Sequence, residues 1–192
     1  MGGILILRVI SGTAKGHKLK TPKGNSTRPT TDRVKESLFN IIAPYIPKSR
    51  VLDLFAGTGS LGIEALSRGA ETAIFIDKSQ ECFGIIKNNL VHTKFMEQAE
   101  VFTGDSVLML DRLTGKKFDI IFLDPPYSKG LIDEALINII KNGLIHKDTV
   151  IIAERDAKDD ILDEIGSLKR VRDQKYGDTV LSFYTCPEDH IL

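Results

Sequence analysis

The sequence predicts a doubly wound α/β fold with a mostly parallel sheet. From Arg50 onward, short β-rich runs alternate with helix-length stretches, which is the order of elements in such folds. Several of these runs are apolar on both faces, as a parallel sheet covered by helices requires. A glycine-rich turn follows the first run, and open α/β sheets bind ligands at the ends of their strands.

The expected elements follow one another regularly. β-rich composition predicts strands at Val51–Phe55, Thr72–Asp77, Glu100–Thr103, Phe118–Asp124 and Thr149–Glu154. Helical spacing of apolar residues predicts helices at Ser60–Arg68, Ser79–Thr93, Asp105–Leu113 and Gly130–Asn142.

The pattern changes after the fifth strand. A short helix is expected near Ala157–Ser167, followed by strands at Leu168–Asp173 and Thr179–Thr185. Tyr176-Gly177-Asp178, between the two strands, is typical of a tight turn. We therefore expect the last strand to be antiparallel, at or near the edge of the sheet.

Residues 1–48 do not follow the alternation and are expected to form a small extension of the α/β domain at residues 49–192. Leu5–Ile10 and His17–Thr21 are predicted to pair as a hairpin. Lys23–Thr30 is rich in Pro, Gly, Ser and Thr, which is typical of a connector.

A helix is expected from Thr31 or Asp32 to about Tyr45. One of its faces is apolar and is expected to dock on the α/β domain, through Val34, Leu38, Ile41 and Ile42. Arg33 and Lys35 would then point away from that domain.

The net charge of zero is a cancellation between two parts of the chain. Of the 26 basic and 26 acidic residues, ten basic and two acidic ones fall in residues 1–50. Such a split indicates a basic surface joined to an acidic body. Charge alone does not distinguish a nucleic-acid-binding surface from a solvated terminus without a partner.

Composition also bears on the compartment. The chain has two cysteines, far apart in sequence, and we expect both to be buried apolar side chains in a reducing environment. The early apolar run Ile4–Leu7 is too short for a signal sequence or a membrane span. A cytoplasmic protein with no membrane partner is expected.

The strongest local signal is the segment from Asp53 to Gly62, in which Gly57, Gly59 and Gly62 form a G-x-G-x-x-G turn. Dinucleotide-binding folds show the same glycine pattern. Asp53, four residues before Gly57, would repel a pyrophosphate and attract a cationic ligand. S-adenosylmethionine has a sulfonium and an amino group and no phosphate, and it fits this arrangement.

Two further acids follow neighbouring strands. Asp77 can accept hydrogen bonds from ribose hydroxyls, and Asp105 can accept one from an adenine amine. Helix capping is the alternative for each acid, and for Asp105 alone it is an equally good explanation. The candidate cofactor-binding residues are Asp53, Phe55, Gly57, Thr58, Gly59, Asp77, Lys78, Gly104, Asp105 and Ser106.

Asp124-Pro125-Pro126-Tyr127 ends the fourth strand and is the candidate catalytic element. Two prolines cannot continue a sheet ladder, so the carbonyl of Pro125 is expected to project into the cleft. With the Asp124 carboxylate it would accept both hydrogens of a nucleobase amine, and Tyr127 would stack on the base. The alternative is an ordinary proline-rich strand exit with a surface tyrosine.

These motifs resemble those of class I, S-adenosylmethionine-dependent amino-group methyltransferases. Three further segments resemble more narrowly the RsmD family, which methylates the exocyclic N2 of one guanine in bacterial 16S ribosomal RNA. They are Arg8-Val9-Ile10-Ser11-Gly12 with Gly16-His17-Lys18-Leu19, the stretch Arg28–Asn40, and Tyr176-Gly177-Asp178-Thr179. The resemblance runs from Arg8 to about Tyr184, and the apolar start at residues 1–7 departs from it.

The resemblance implies a Rossmann-like methyltransferase sheet, S-adenosyl-L-methionine as cofactor, and 16S ribosomal RNA as partner, within the small subunit or a late assembly intermediate. It assigns Asp53, Gly57 and Gly59 to the methionine end of the cofactor. It assigns the ribose to Asp77, the adenine side to Asp105, and the target guanine to Asp124, Pro125 and Tyr127. The candidate RNA-binding residues are Arg8, Lys15, Lys18, Arg28, Thr30, Thr31 and Arg33.

Other functions stay open at this point. The Asp-Pro-Pro-Tyr element is shared with adenine-N6 methyltransferases of DNA or RNA and does not by itself select guanine. A nicotinamide-dependent dehydrogenase and a catalytically silent RNA-binding module are more remote. The sequence shows no metal-ligand set and nothing that demands more than a monomer.

Overall fold

Eight strands form one mixed sheet in the order β3-β2-β1-β4-β5-β8-β7-β6. The computed structural model describes residues 7–22, 32–126 and 130–186. The strands are β1 (Arg50–Leu54), β2 (Thr72–Asp77), β3 (Ala99–Thr103), β4 (Ile120–Leu123), β5 (Val150–Asp156), β6 (Glu164–Ile165), β7 (Leu168–Tyr176) and β8 (Thr179–Thr185). The helices are α1 (Asp32–Ile41), α2 (Ser60–Ser67), α3 (Gln80–Thr93) and α4 (Leu131–Lys141), with short 3₁₀ helices at Ala43–Tyr45, Met96–Gln98 and Leu108–Leu113.

The five strands β1 to β5 are parallel, and β6, β7 and β8 pair antiparallel. Apolar side chains form one buried cluster on each face of the sheet. The doubly wound, mostly parallel fold class is thereby confirmed. The last strand is antiparallel as expected, but it lies between β5 and β7 and not at the edge, because β7 and β6 continue the sheet beyond it.

The prediction of a helix near Ala157–Ser167 is wrong. Ile161 and Ile165 have helical spacing and are both buried, but side-chain hydrogen bonds hold the backbone around Ile161 in a non-helical shape. The Arg155 guanidinium donates to the carbonyl of Asp159 at 3.0 Å, and the Tyr184 hydroxyl donates to the carbonyl of Leu162 at 2.7 Å. This segment therefore ends in the edge strand β6.

Two other predicted helices are shorter than expected. Asp105–Leu113 was expected to be an α-helix but forms the 3₁₀ helix Leu108–Leu113 behind a capping turn. α1 ends at Ile41 and not near Tyr45, because Pro44 cannot continue an α-helix and a 3₁₀ turn follows.

In the described parts of the chain no helix has the length and apolar character of a membrane span. Both cysteines are free and half-buried, so the expectation of full burial is wrong.

The amino-terminal segment forms a closed loop that docks on α2. Arg8 pairs antiparallel with Lys18, and Leu19 N–H donates to the Leu7 carbonyl at 2.8 Å. On α2, Ser67 accepts a hydrogen bond from Ala14 N–H at 2.9 Å and donates one to the Ser11 carbonyl at 2.6 Å. The predicted connector Lys23–Thr30 and the predicted helix start Thr31 lie outside the described residues.

A fully buried carboxylate, Glu64 on α2, fastens this segment. It accepts hydrogen bonds from Ile10 N–H at 2.7 Å and Ser11 N–H at 2.9 Å, and from the Arg68 guanidinium at 2.8 Å. The Lys35 ammonium lies 3.5 Å from the same carboxylate and donates to the Arg8 carbonyl. The buried charges and backbone N–H groups at this point all have partners. The contacts hold the amino-terminal loop, α1 and α2 together.

The expected outward orientation of Lys35 is therefore wrong. Its side chain is fully buried, whereas Arg33 is exposed as expected. Burial lowers the pKa of Lys35, and the neighbouring Glu64 carboxylate opposes that effect. Lys35 holds the fold together and is not part of the exposed basic surface.

Replacing Glu64 by Ala should lower the free energy of unfolding by about 3 to 5 kcal/mol, because Lys35 would be left as an unpaired buried charge. Urea unfolding measures the change. Glu164→Ala, which removes an exposed ion pair with Lys169, is the control and should change stability by about 0.5 kcal/mol or less. Equal effects of the two substitutions would contradict the role given to Glu64.

Candidate active site

A cavity of about 420 Å³ lies at the carboxyl ends of the parallel strands, a size typical of sites for small molecules. Its lining includes eleven of the predicted cofactor-binding and catalytic residues: Asp53, Phe55, Gly57, Thr58, Asp77, Lys78, Asp105, Ser106, Asp124, Pro125 and Pro126. Gly59 and Gly104 were also predicted and do not line the cavity. Tyr127 lies outside the described residues.

The glycine turn between β1 and α2 is held by acceptors from the protein itself. The N–H of Gly57 donates to Asp77 at 2.8 Å, that of Gly59 to the Ala56 carbonyl at 2.7 Å, and that of Gly62 to Asp53 at 2.9 Å. A dinucleotide-binding turn offers such N–H groups to a pyrophosphate. Here two of the three meet carboxylates, so the turn is poorly suited to a phosphate.

The third glycine is required by a close approach. A Cβ at Gly62 would lie 2.3 Å from the Phe75 ring and 3.2 Å from an oxygen of Asp53. With no side chain at Gly62, the backbone N–H reaches the Asp53 carboxylate. The first turn of α2 and the end of β1 are thus locked together beside the cavity.

Asp53 is buried, with 2% of its surface exposed. Burial raises the pKa of its carboxyl to about 7, against the opposing effect of the Gly62 N–H and with a contribution from the nearby Asp77. A cationic group in the cavity would favour the ionised form. The charge of the Asp53 carboxyl therefore depends on the ligand that lies next to it.

Asp77 and Asp105 both have roles in the local backbone. Asp77 accepts hydrogen bonds from Gly57 N–H and from Ser79 N–H, each at 2.8 Å. Asp105 accepts from the N–H groups of Val107 and Leu108, each at 3.1 Å. The capping geometry considered as the alternative is thus present for Asp105, whereas α3 is capped by Ser79 and not by Asp77. Both acids also line the cavity.

Asp124 follows β4, and its side chain enters the cavity together with Pro125 and Pro126. Burial raises the pKa of the Asp124 carboxyl well above its usual range, and the negative charges of Glu154 and Asp53 raise it further. Acceptors are thus concentrated at one end of the cavity. Such a site favours a ligand that brings hydrogen-bond donors or a positive charge.

Sequence reasoning missed about half of the cavity wall. The missed residues are Leu7, Thr21, Pro22, Ala56, Ser60, Leu61, Cys82, Val107, Leu131 and Glu154. Glu154 could have been found, because it follows the core of β5 as Asp124 follows β4. Nothing in the sequence signals that Leu7, Thr21 and Pro22 of the amino-terminal segment reach the cavity.

The described candidates for RNA binding lie on the amino-terminal part of the chain. Arg8, Lys15, Lys18 and Arg33 are exposed, and Arg8 forms an exposed ion pair with Asp32 at 3.0 Å. Arg28, Thr30 and Thr31 lie outside the described residues. The loop that carries Arg8, Lys15 and Lys18 is the one that Glu64 fastens.

The sheet order and the glycine turn define a Rossmann-like fold of the class I methyltransferase type. An Escherichia coli structure described as "Putative methyltransferase yhhF" superposes with a TM-score of 0.84 and 34% identity, covering 93% of this chain and 97% of that one. An RNA methyltransferase of Salinibacter ruber, solved with S-adenosyl-L-homocysteine, shares the fold with a TM-score of 0.65 at 13% identity, over 85% of this chain and 97% of that one.

Residues 7–185 match the protein family described as conserved hypothetical protein 95, and the chain belongs to this family. A Bacillus subtilis protein named "Putative rRNA methyltransferase YlbH" is 42% identical over 93% of this chain and 98% of its own length. Ribosomal RNA small subunit methyltransferase D of Haemophilus influenzae is 40% identical over 78% of this chain and 79% of its own length. The resemblance to the RsmD family is thereby confirmed.

Replacing Asp53 by Asn should change how stability depends on pH. The raised pKa means that the wild-type folded state binds a proton that the unfolded state releases, so wild type loses stability as pH rises from about 4 to about 7. Asn keeps an acceptor for Gly62 and carries no charge. The variant should therefore gain about 1 to 3 kcal/mol on wild type between pH 4 and pH 8.

Urea unfolding at several pH values measures this gain, and the affinity for S-adenosylmethionine should fall in the same variant. Glu164→Gln provides an exposed control. Unfolding free energies of wild type and variant that change in parallel with pH would contradict the assignment.

Proposed function

We propose that this protein transfers a methyl group from S-adenosyl-L-methionine to the exocyclic N2 of a guanine in 16S ribosomal RNA. One observation carries the proposal: the glycine N–H groups are taken by protein acceptors, two of them the carboxylates of Asp53 and Asp77, beside the Asp124-Pro125-Pro126 element. The family membership and the relatives named as rRNA methyltransferases support it.

The cavity suits the proposed cofactor in size and charge. The remaining walls of the cavity are largely apolar. Five residues with carboxyl side chains line it: Asp53, Asp77, Asp105, Asp124 and Glu154. S-adenosylmethionine supplies a methyl group on a positively charged sulfur, which such a lining attracts. The same turn counts against a nicotinamide-dependent dehydrogenase, since carboxylates stand where a pyrophosphate would bind.

The chain's own groups would prepare the amine for transfer. The Asp124 carboxylate and the Pro125 carbonyl accept the two hydrogens of the guanine N2 amine and aim its nitrogen at the methyl carbon. A bond would form between the guanine N2 and the methyl carbon as the bond between that carbon and sulfur breaks. The electron pair of the broken bond would stay on sulfur. The amine then loses one proton to Asp124 or to water.

The partner and its state are part of the same proposal. A guanine amine is accessible only when the base is unpaired or extruded, so the substrate is a loop or an open site of the RNA. We propose that it is presented within the small subunit or a late assembly intermediate, in the cytoplasm, to a monomeric enzyme. Arg8, Lys15, Lys18 and Arg33 would contact phosphates.

Methylation of 16S ribosomal RNA from a strain that lacks the gene tests the proposal. Free RNA and purified small subunits are compared, and the modified nucleoside is identified and mapped. N2-methylguanosine at one position is the expected product. N6-methyladenosine would instead support the adenine-N6 alternative, and no methyl transfer to either substrate would contradict the proposal.

Replacing Asp124 by Ala should reduce methyl transfer by about 100-fold or more, because the amine loses an acceptor that orients it. Binding of S-adenosylmethionine, measured by calorimetry, should stay close to that of wild type. Glu97→Ala, an exposed change at the other end of the sheet, is the control. Near-normal transfer by the Asp124 variant would refute the role proposed for this residue.

RNA binding and cofactor binding should differ in their response to salt. Phosphate contacts release counterions, so raising the salt concentration from about 50 to about 200 mM should weaken RNA binding by about tenfold or more. Cofactor binding inside the cavity should change far less. Filter binding and calorimetry measure the two, and equal salt sensitivity would show that the basic segment is not the RNA-facing surface.

A further inference from the structure

Glu154 stands next to the catalytic element on the same face of the sheet. β4 and β5 are parallel, and Leu123 pairs with Ala153 at the end of their shared register. The residues that follow, Asp124 and Glu154, are therefore neighbours, and alternation along the strands sends both side chains to the same face. Both line the cavity. The proposed mechanism uses Asp124 and gives Glu154 no part.

Guanine presents more donors than that mechanism accepts. Its Watson–Crick edge carries the N2 amine and, beside it, the N1–H group, and extruded bases are recognised along this edge. If Asp124 and the Pro125 carbonyl take the two amine hydrogens, N1–H still needs an acceptor. Adenine differs at this point, since the atom beside its amine is N1, which accepts hydrogen bonds and has none to donate.

We propose that Glu154 selects guanine by accepting its N1–H while Asp124 and Pro125 hold the amine. This inference rests on the proposed function and names the residue that distinguishes guanine from adenine at that site. Neighbouring strands lie about 4.8 Å apart, so two side chains that converge from them reach two adjacent donors of one base. A base with an acceptor at N1 would face the carboxylate with a lone pair.

The charges around the pair favour the same ligand. Burial, together with the Glu154 charge, raises the pKa of Asp124, so the ionised form of Asp124 is disfavoured beside Glu154. A base edge with donors for both side chains offsets that repulsion. An edge with an acceptor opposite Glu154 sets a lone pair against the carboxylate, which is costly in a site that excludes water.

RNA substrates that carry 2-aminopurine in place of the target guanine test the proposal. This base keeps the amine at position 2, but its N1 is an acceptor. Wild type should methylate the guanine substrate at least about tenfold more efficiently in kcat/KM than the 2-aminopurine substrate. Glu154→Gln provides both an acceptor and a donor, so it should narrow this preference by about tenfold or more while still methylating guanine.

Three comparisons separate this role from a structural one. Glu154→Asp keeps the carboxylate and should keep the preference for guanine at a lower rate, whereas Glu154→Leu should lose guanine methylation. Glu164→Gln, the same chemical change on the exposed edge strand, should leave rate and preference unchanged. Thermal unfolding and S-adenosylmethionine affinity of each variant check the fold and the cofactor site.

The results distinguish the two levels of the proposal. Absence of guanine methylation by wild type would reject the proposed function itself. Guanine methylation with an unchanged preference in Glu154→Gln would overturn the role of Glu154 alone. Equal methylation of the two bases by wild type would overturn it without any variant.

Discussion

The structure depends on one buried carboxylate, Glu64, which joins three parts of the chain. Its oxygens accept hydrogen bonds from Ile10 and Ser11 of the amino-terminal loop and pair with Lys35 of α1 and with Arg68, the residue that caps α2. A buried charge network of this kind is strongly destabilised when one member is lost. It holds the basic amino-terminal segment in a fixed place, and that segment supplies part of the cavity wall.

The amino-terminal segment held in this way carries both residues of the cavity wall and exposed basic residues. Leu7, Thr21 and Pro22 line the cavity, and Arg8, Lys15 and Lys18 are exposed on the basic side of the segment. A ligand bound in the cavity and an RNA bound to the basic side would thus contact the same short segment. The net charge of zero is the balance between an excess of eight basic residues in residues 1–50 and an excess of eight acidic residues in residues 51–192, which include the five acids of the cavity.

Several features could be predicted because they depend on local pattern. The strand Thr72–Asp77 has the predicted bounds, and the glycine turn with its acids was predicted from spacing alone. The predicted helix at Ala157–Ser167 failed because two of its backbone carbonyls accept side-chain hydrogen bonds. Arg155 donates to the Asp159 carbonyl, and Tyr184, which is distant in sequence, donates to the Leu162 carbonyl. Glu154 ends a predicted strand as Asp124 does and could have been found on that ground, but its place beside Asp124 depends on the pairing of β4 with β5.

The sequence by itself determined the α/β class, the sheet's ligand-binding edge and the acids at the carboxyl ends of β1, β2 and β4, since periodicity and strand-end position are local properties. Only the tertiary structure decided that Lys35 is buried, that Glu154 joins Asp124, and that the amino-terminal segment walls the cavity. Each of these depends on a contact between residues that are distant in sequence. Burial and charge pairing across such contacts decide which polar side chains stabilise the fold and which line the cavity, where they can contact a ligand.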